Sequence, residues 1–190
     1  MRFEITYGAL FGAITLAWLL IRMVCCMRAR RVDIRRELTL LWVYICIVVV
    51  ARFTFFPFSR VNGMIQPLVF DFETAVPPRL NVVPLVNLFD YESRRELLLN
   101  LIGNTLMFLP LGMVWPIAFR RLHTHKDVLL SGFATSLCIE ILQLPFYDRV
   151  SDIDDLLLNT LGFTAGYGIL LLARRIKAVH CDRFKQKRSI

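Results

Sequence analysis

Long stretches of this 190-residue chain have no charge at all. Ile5 to Ile21, Leu38 to Ala51, Leu97 to Phe119 and Leu156 to Ala173 contain none, and Val128 to Tyr147 contains only Glu140. A soluble domain needs polar residues to face water, so a soluble globular class is excluded. Histidine is scarce, three residues in all, and each lies outside the apolar runs, which leaves no Ser-His-Asp arrangement. A glycine-rich phosphate loop is absent. So is the basic, aromatic-interleaved pattern that binds RNA or DNA, and no nucleic-acid partner is expected. None of the five cysteines falls in a predicted outer loop, and their spacing fits no zinc pattern. Neither a structural disulfide nor a zinc site is expected.

What is present is hydrophobe in blocks that span lipid, where a helix needs about 20 residues. The mean hydropathy is +0.56. Five such blocks predict an all-α, polytopic membrane helix bundle with five transmembrane helices, a single domain over 1–190. The second block is the shortest and carries Arg52 near its outer end. Most of the 23 basic residues sit in three places: Arg22 to Arg36, Arg120 to Lys126, and the tail 174–190. These segments fall on one side of a five-span chain, and loop Lys and Arg mark the cytoplasmic face. The expected placement is the cell membrane, multi-pass, with the N-terminus outside and a basic cytoplasmic C-terminal tail. The net charge of +8 therefore reflects topology and anionic inner-leaflet lipid. The first block lacks a small-residue cleavage site after a short apolar core, so it is expected to be retained.

Ser59 to Glu96 forms a long outer connector with Pro67, Pro77, Pro78 and Pro84, a density that argues against a continuous helix. Its second half is apolar yet too short to span, with Asn81 and Asn87 flanking Pro84. It is expected to be a re-entrant or interfacial loop over the outer face. Gly8 and Gly12, four apart in the first block, would permit close helix contact.

Polar side chains are set into the last three blocks. Asn100 and Asn104 share one helix face, as do Glu140 and Gln143. The connector DRVSDIDD brings Arg149, Asp152, Asp154 and Asp155, with Ser151 or Asp152 placed to cap the fifth helix. Asp155, Asn159, Gly162 and Gly166 then fall on a single stripe. Polar groups at membrane depth are costly and usually face a bundle interior. All of these lie within roughly 10 Å of the outer surface at 1.5 Å per residue, while the inner halves are plain hydrophobe. They are expected to form a polar cup under the outer face. As a structural set, the carboxamides would only bridge helices, Glu140 would pair with Arg149 or Arg52, and the Asp group would cap. As a functional set they would hold a polar head group. Arg52, with either a snorkelling or an anion-holding role, and Asn81 and Asn87 complete the ligand candidates. Glu140, Asp154 and Asp155 are the catalytic candidates, as general acid and base of a lipid head-group hydrolase or transferase. A divalent cation on Asp152, Asp154 and Glu140 has no recognised ligand spacing, so no metal and no cofactor is assigned.

At these residues the chain resembles the VanZ-like family. The likeness rests on Asn100-Leu-Ile-Gly-Asn104 running into Phe108-Leu-Pro110-Leu-Gly112, on Glu140-Ile-Leu-Gln143, and on Arg149-x-x-Asp152-Ile-Asp154-Asp155. It ends at Asn159-Thr-Leu-Gly162 and Gly166-Tyr167, and Asn81-Val-Val-Pro84 and Arg52 look like family features too. The resembling core covers about 81–167. The resemblance implies a multi-spanning bacterial membrane protein associated with glycopeptide (teicoplanin) resistance.

The expected function is to bind or modify an outer-leaflet envelope lipid or lipid-linked cell-wall precursor. The alternatives are a small transporter or oligomeric channel, and a structural partner of another envelope protein. A channel needs polar groups through the inner halves as well, and the sequence has none there.

Overall fold

The computed structural model describes residues 2–29, 32–56, 63–71, 79–84, 94–119, 121–122, 124–147 and 149–188. Within them the order is β1 (Arg2–Ile5), α1 (Tyr7–Arg28), α2 (Ile34–Phe55), β2 (Leu68–Asp71), β3 (Leu80–Asn81), α3 (Arg94–Ala118), α4 (His125–Gln143), β4 (Ser151–Asp152) and α5 (Ile153–Arg188). The five helices are those the apolar blocks predict. Four of them are long and apolar enough to cross a membrane. In α4 the apolar run is interrupted by Lys126, Asp127 and Glu140.

Side-chain oxygens set the helix starts, since the first four N–H groups of a helix have no internal partner. Thr6 accepts from Ala9 N at 3.2 Å, and Asp33 accepts from Arg35 N at 3.0 Å. Thr124 and Asp127 bond each other's backbone N–H at 3.1 and 3.0 Å, forming a capping box for α4. Asp152 Oδ1 accepts from Asp154 N at 2.9 Å, so it is Asp152 that caps α5.

The core lies among α2, α3, α4 and α5, centred on the fully buried rings of Phe108 and Phe163 with Val43, Leu111 and Val128. Between lipid-like surfaces there is little hydrophobic drive, so helix association rests on close packing. Glycine supplies it. A Cβ on Gly162 would overlap the Thr105 carbonyl, one on Gly166 the Leu109 carbonyl, and one on Gly112 the Phe163 carbonyl. The predicted stripe on α5 thus meets α3 backbone to backbone. Pro110 and Pro116 both lie inside α3.

Two features depart from the sequence expectation. Among the described residues nothing lies within 4 Å of where a Cβ would stand on Gly8 or Gly12, so that spacing joins no helices among them. Indeed α1 has no buried residue. It leans on α2 through a Thr15–Tyr44 hydroxyl contact of 2.8 Å, the rings of Trp18 and Tyr44 and an Arg22–Glu37 ion pair. The second is local: short strands lie at one end of what is the expected all-α membrane bundle. Ile5, expected to open the first helix, ends β1, which runs antiparallel to β2 from the long connector. Arg2 Nε donates to the buried Asp71 carboxylate at 2.5 Å. β2 is tied in turn to the turn after α4, with Asp71 N donating to Pro145 O and Tyr147 N to Val69 O, both at 2.9 Å. β3 pairs in parallel with β4. The strands and the α4–α5 turn therefore share one end of the bundle.

Candidate functional site

At that same end α3, α4 and α5 bring their polar residues together. The short β4 fixes the approach. Asn81 on β3 donates its amide to both oxygens of Asp152 at 3.2 Å, and Ser151 N donates to Arg79 O at 3.1 Å. Asp152 N donates to Glu140 Oε2 at 2.9 Å, so the buried α4 carboxylate holds the start of α5. The Ser151 side chain also hydrogen-bonds Glu140, and Asp155 and Asp152 stand near enough to act on its charge. A turn into α5, the Asp155 carboxylate accepts from Asn104 Nδ2, which also donates to Asn100 Oδ1 at 2.8 Å. Asp152 and Asp154 are further anions acting on Asp155, and Arg149 is the cation doing so.

Glu140, Gln143, Asp154 and Asn159 are all buried. Asn159, at 1% exposure, has no hydrogen-bond partner for its Oδ1 among the described residues. Gln143 donates Nε2 to the Thr54 carbonyl at 2.7 Å, while its Oε1 likewise accepts nothing. A buried polar atom left without a partner costs about 1–3 kcal/mol and calls for an explanation. Asn159 stands one turn along α5 from Asp155, whereas Gln143 is turned toward α2.

The structure thus gathers Asn81, Asn100, Asn104, Glu140, Arg149, Asp152, Asp154 and Asp155 around one helix junction, with Asn159 one turn deeper on α5. Gln143 faces α2 instead. Arg52 is elsewhere engaged: its guanidinium donates to Phe56 O at 3.1 Å and lies over the rings of Tyr7 and Phe53, 5.6 and 5.4 Å from their centroids. That makes it a cap for α2 and a tether for α1. Asn87 lies outside the described residues. Among those described, no three His, Cys, Asp or Glu side chains are grouped to hold a metal ion.

The sequence profile of the VanZ/LLP1 family matches residues 41–174. The chain belongs to this family. It is a VanZ-like membrane protein, of a family associated with glycopeptide resistance. No curated protein and no solved structure matches it. The matched range runs from within α2 to within α5 and leaves β1 and α1 outside, so the polar junction lies wholly within the VanZ-like part of the chain.

Sequence reasoning missed several participants. Thr54 contributes a backbone carbonyl, which no side-chain pattern reveals. Ser136, fully buried on α4, reaches the Leu156 carbonyl at 3.4 Å. Its spacing four residues before Glu140 was the available signal. Asp71 is a third buried carboxylate at this end, and its partner Arg2 lies 69 residues away in sequence.

Proposed function

We propose that the junction of α3, α4 and α5 binds the polar head of an envelope lipid or lipid-linked cell-wall precursor at the outer leaflet, a role that fits a VanZ-like protein. The observation that carries this reading is the buried, unpartnered Asn159 Oδ1, beside a cluster rich in carboxylates. Such a cluster is rich in acceptors, which suits a head bearing hydroxyls or an amine. Asn100, Asn104 and Asn81 hold the carboxylates in place, and Arg149 counters a phosphate. The outer placement is supported by charge: the linkers after α1 and α3 and the tail of α5 carry most of the Lys and Arg, which favours the cytoplasm for the end opposite the strands. A transporter or channel finds less support, since the carboxylates and carboxamides cluster at one end.

Native mass spectrometry of the detergent-purified protein tests the reading. Wild type retains a lipid, and Asn159→Leu or Glu140→Gln lowers its occupancy about tenfold, the effect of losing one buried hydrogen bond to a charged or polar head. Retention of the same lipid by both folded variants, or no lipid in wild type, overturns it.

A further inference from the structure

Hydrogen-bond donors and charges are unevenly matched where α5 meets α3 and α4. Asn104 gives its two amide protons to Asn100 Oδ1 and to Asp155. Asn81 gives its amide to Asp152, and Gln143 gives its own to the Thr54 carbonyl on α2. None of these carboxamides serves Asn159 Oδ1, which is buried at 1% exposure and accepts no hydrogen bond from the described residues. Its neighbours along α5 show where it looks. Asp155, one turn before it, meets Asn104 of α3, and Gly162, three residues after it, meets the Thr105 carbonyl of α3. Positions i, i+4 and i+7 share a helix face, so Asn159 lies between those two contacts, one turn inward of the Asp155 carboxylate.

Charge at the junction is one-sided as well. Glu140, Asp152, Asp154 and Asp155 bring four carboxylates, and Arg149 is the cation acting on Asp155 among the described residues. Asp152 caps α5 and takes the Asn81 amide. Glu140 and Asp155 are hydrogen-bonded by neutral donors alone: the Asp152 N–H and the Ser151 hydroxyl for Glu140, the Asn104 amide for Asp155. A carboxylate has about four lone-pair sites, so both can accept more. Charge at membrane depth is costly, and neutral donors offset only part of that cost.

Three kinds of head group bring something to such a place. A glycerol or sugar hydroxyl donates a hydrogen bond and carries no charge. A quaternary ammonium carries charge and has no N–H. A primary ammonium has both, with donors only, and its bonds to carboxylates are of the charge-assisted kind, roughly twice as strong as neutral ones. We infer that the junction selects a head group ending in a primary ammonium, with one N–H given to Asn159 Oδ1 and the positive charge set against Asp155 and Glu140. This rests on the head-group reading above and narrows it from hydroxyl-bearing or amine-bearing heads to the aminoalkyl class.

The full chain in detergent is titrated with phosphatidylethanolamine, its N-methyl and N,N-dimethyl forms, phosphatidylcholine and phosphatidylglycerol, all with the same acyl chains. Bound lipid is counted by native mass spectrometry. The methylated series keeps the charge and removes the N–H groups one at a time. Apparent affinity falls with each methyl, about tenfold from first to last, the factor that separates a charged from a neutral hydrogen bond. Phosphatidylglycerol binds no better than phosphatidylcholine. In folded Glu140→Gln and Asp155→Asn the series flattens, and the wild-type series stands as a test whether or not those variants fold. Equal affinity for phosphatidylethanolamine and phosphatidylcholine overturns the inference, as does an ethanolamine preference that survives both substitutions. Phosphatidylglycerol bound as tightly as phosphatidylethanolamine overturns it too, while leaving the head-group reading in place. Wild type that binds none of the five lipids sinks both.

Discussion

Gly162→Ala adds one methyl group to the face of α5 that meets α3, and the structure sets its cost. The new Cβ would stand 2.8 Å from the Thr105 carbonyl carbon and nearer still to its oxygen, where an ordinary contact needs 3.4 Å or more. The obstacle is backbone, so no side chain can swing aside. The two helices must part at that point by well over half an ångström, since the carbonyl oxygen is nearer than the carbon. A radial gap of about 0.5–1 Å forfeits a quarter to a half of each dispersion contact, and α3 against α5 is the most extensive helix pair in the bundle. Overpacking of this kind costs about 1–3 kcal/mol, and the backbone obstacle puts Gly162→Ala near the upper end. The assay is reversible unfolding in mixed micelles of increasing SDS fraction. Gly8→Ala serves as the control, because nothing lies within 4 Å of its Cβ. There the helix gains about 0.5–1 kcal/mol from alanine's lower conformational entropy. The two substitutions are thus expected to move stability in opposite directions. If Gly162→Ala lies within about 0.5 kcal/mol of wild type, or Gly8→Ala is the more damaging, then α5 does not pack against α3 through bare backbone.

Three further outcomes are expected. Asn104→Ala removes the donor to Asp155 and to Asn100 and lowers unfolding free energy by about 1.5–3 kcal/mol, whereas Asn104→Asp lowers it further through like-charge contact; equal stabilities for the two would contradict the contact. Asp152→Ala costs α5 its cap and β3 its side-chain partner, about 1–2 kcal/mol, and increases amide hydrogen exchange at residues 153–156 before it does so elsewhere; unchanged exchange there would remove Asp152 from the capping role. Arg2→Ala leaves the buried Asp71 carboxylate without its guanidinium and loosens the strand pair, read as faster proteolysis near Leu68–Asp71 at unchanged helix content, while Asp71→Asn restores part of the protection; equal cleavage in all three would show that the pair does not hold β1 to β2.

Much of this was legible before any coordinates. The helices are, because an uncharged run as long as Leu97 to Phe119 has no stable alternative to a helix in lipid. The Asn100–Asn104–Asp155 contact is legible from i, i+4 spacing on α3 and from the stripe that Asp155 opens on α5. The glycines on that stripe announced a close helix, which is α3, while the glycine pair on α1 meets no helix among the described residues. Such a pair reports a smooth face and not what lies on it. The β1–β2 strands were not legible. Each is four residues long, too short for an alternation to stand out, and their register joins positions far apart in sequence. Arg52 was legible as a cation near an end, but its choice of Tyr7, Phe53 and Phe56 over Glu140 depends on how α1 docks. The Gln143–Thr54 contact was hidden because its acceptor is main chain.

The knot of β1, β2 and the turn at Pro145 to Tyr147 has a consequence for biogenesis. β1 and α1 leave the ribosome early and β2 follows them, yet the turn that ties this strand pair to the bundle is made late, once synthesis has passed Tyr147. Until then the first helix has its contacts with α2 and, once Asp71 is made, the pairing of β1 with β2. The clamp that joins the N-terminal strand to the bundle is therefore completed last, after the helices it serves have entered the bilayer.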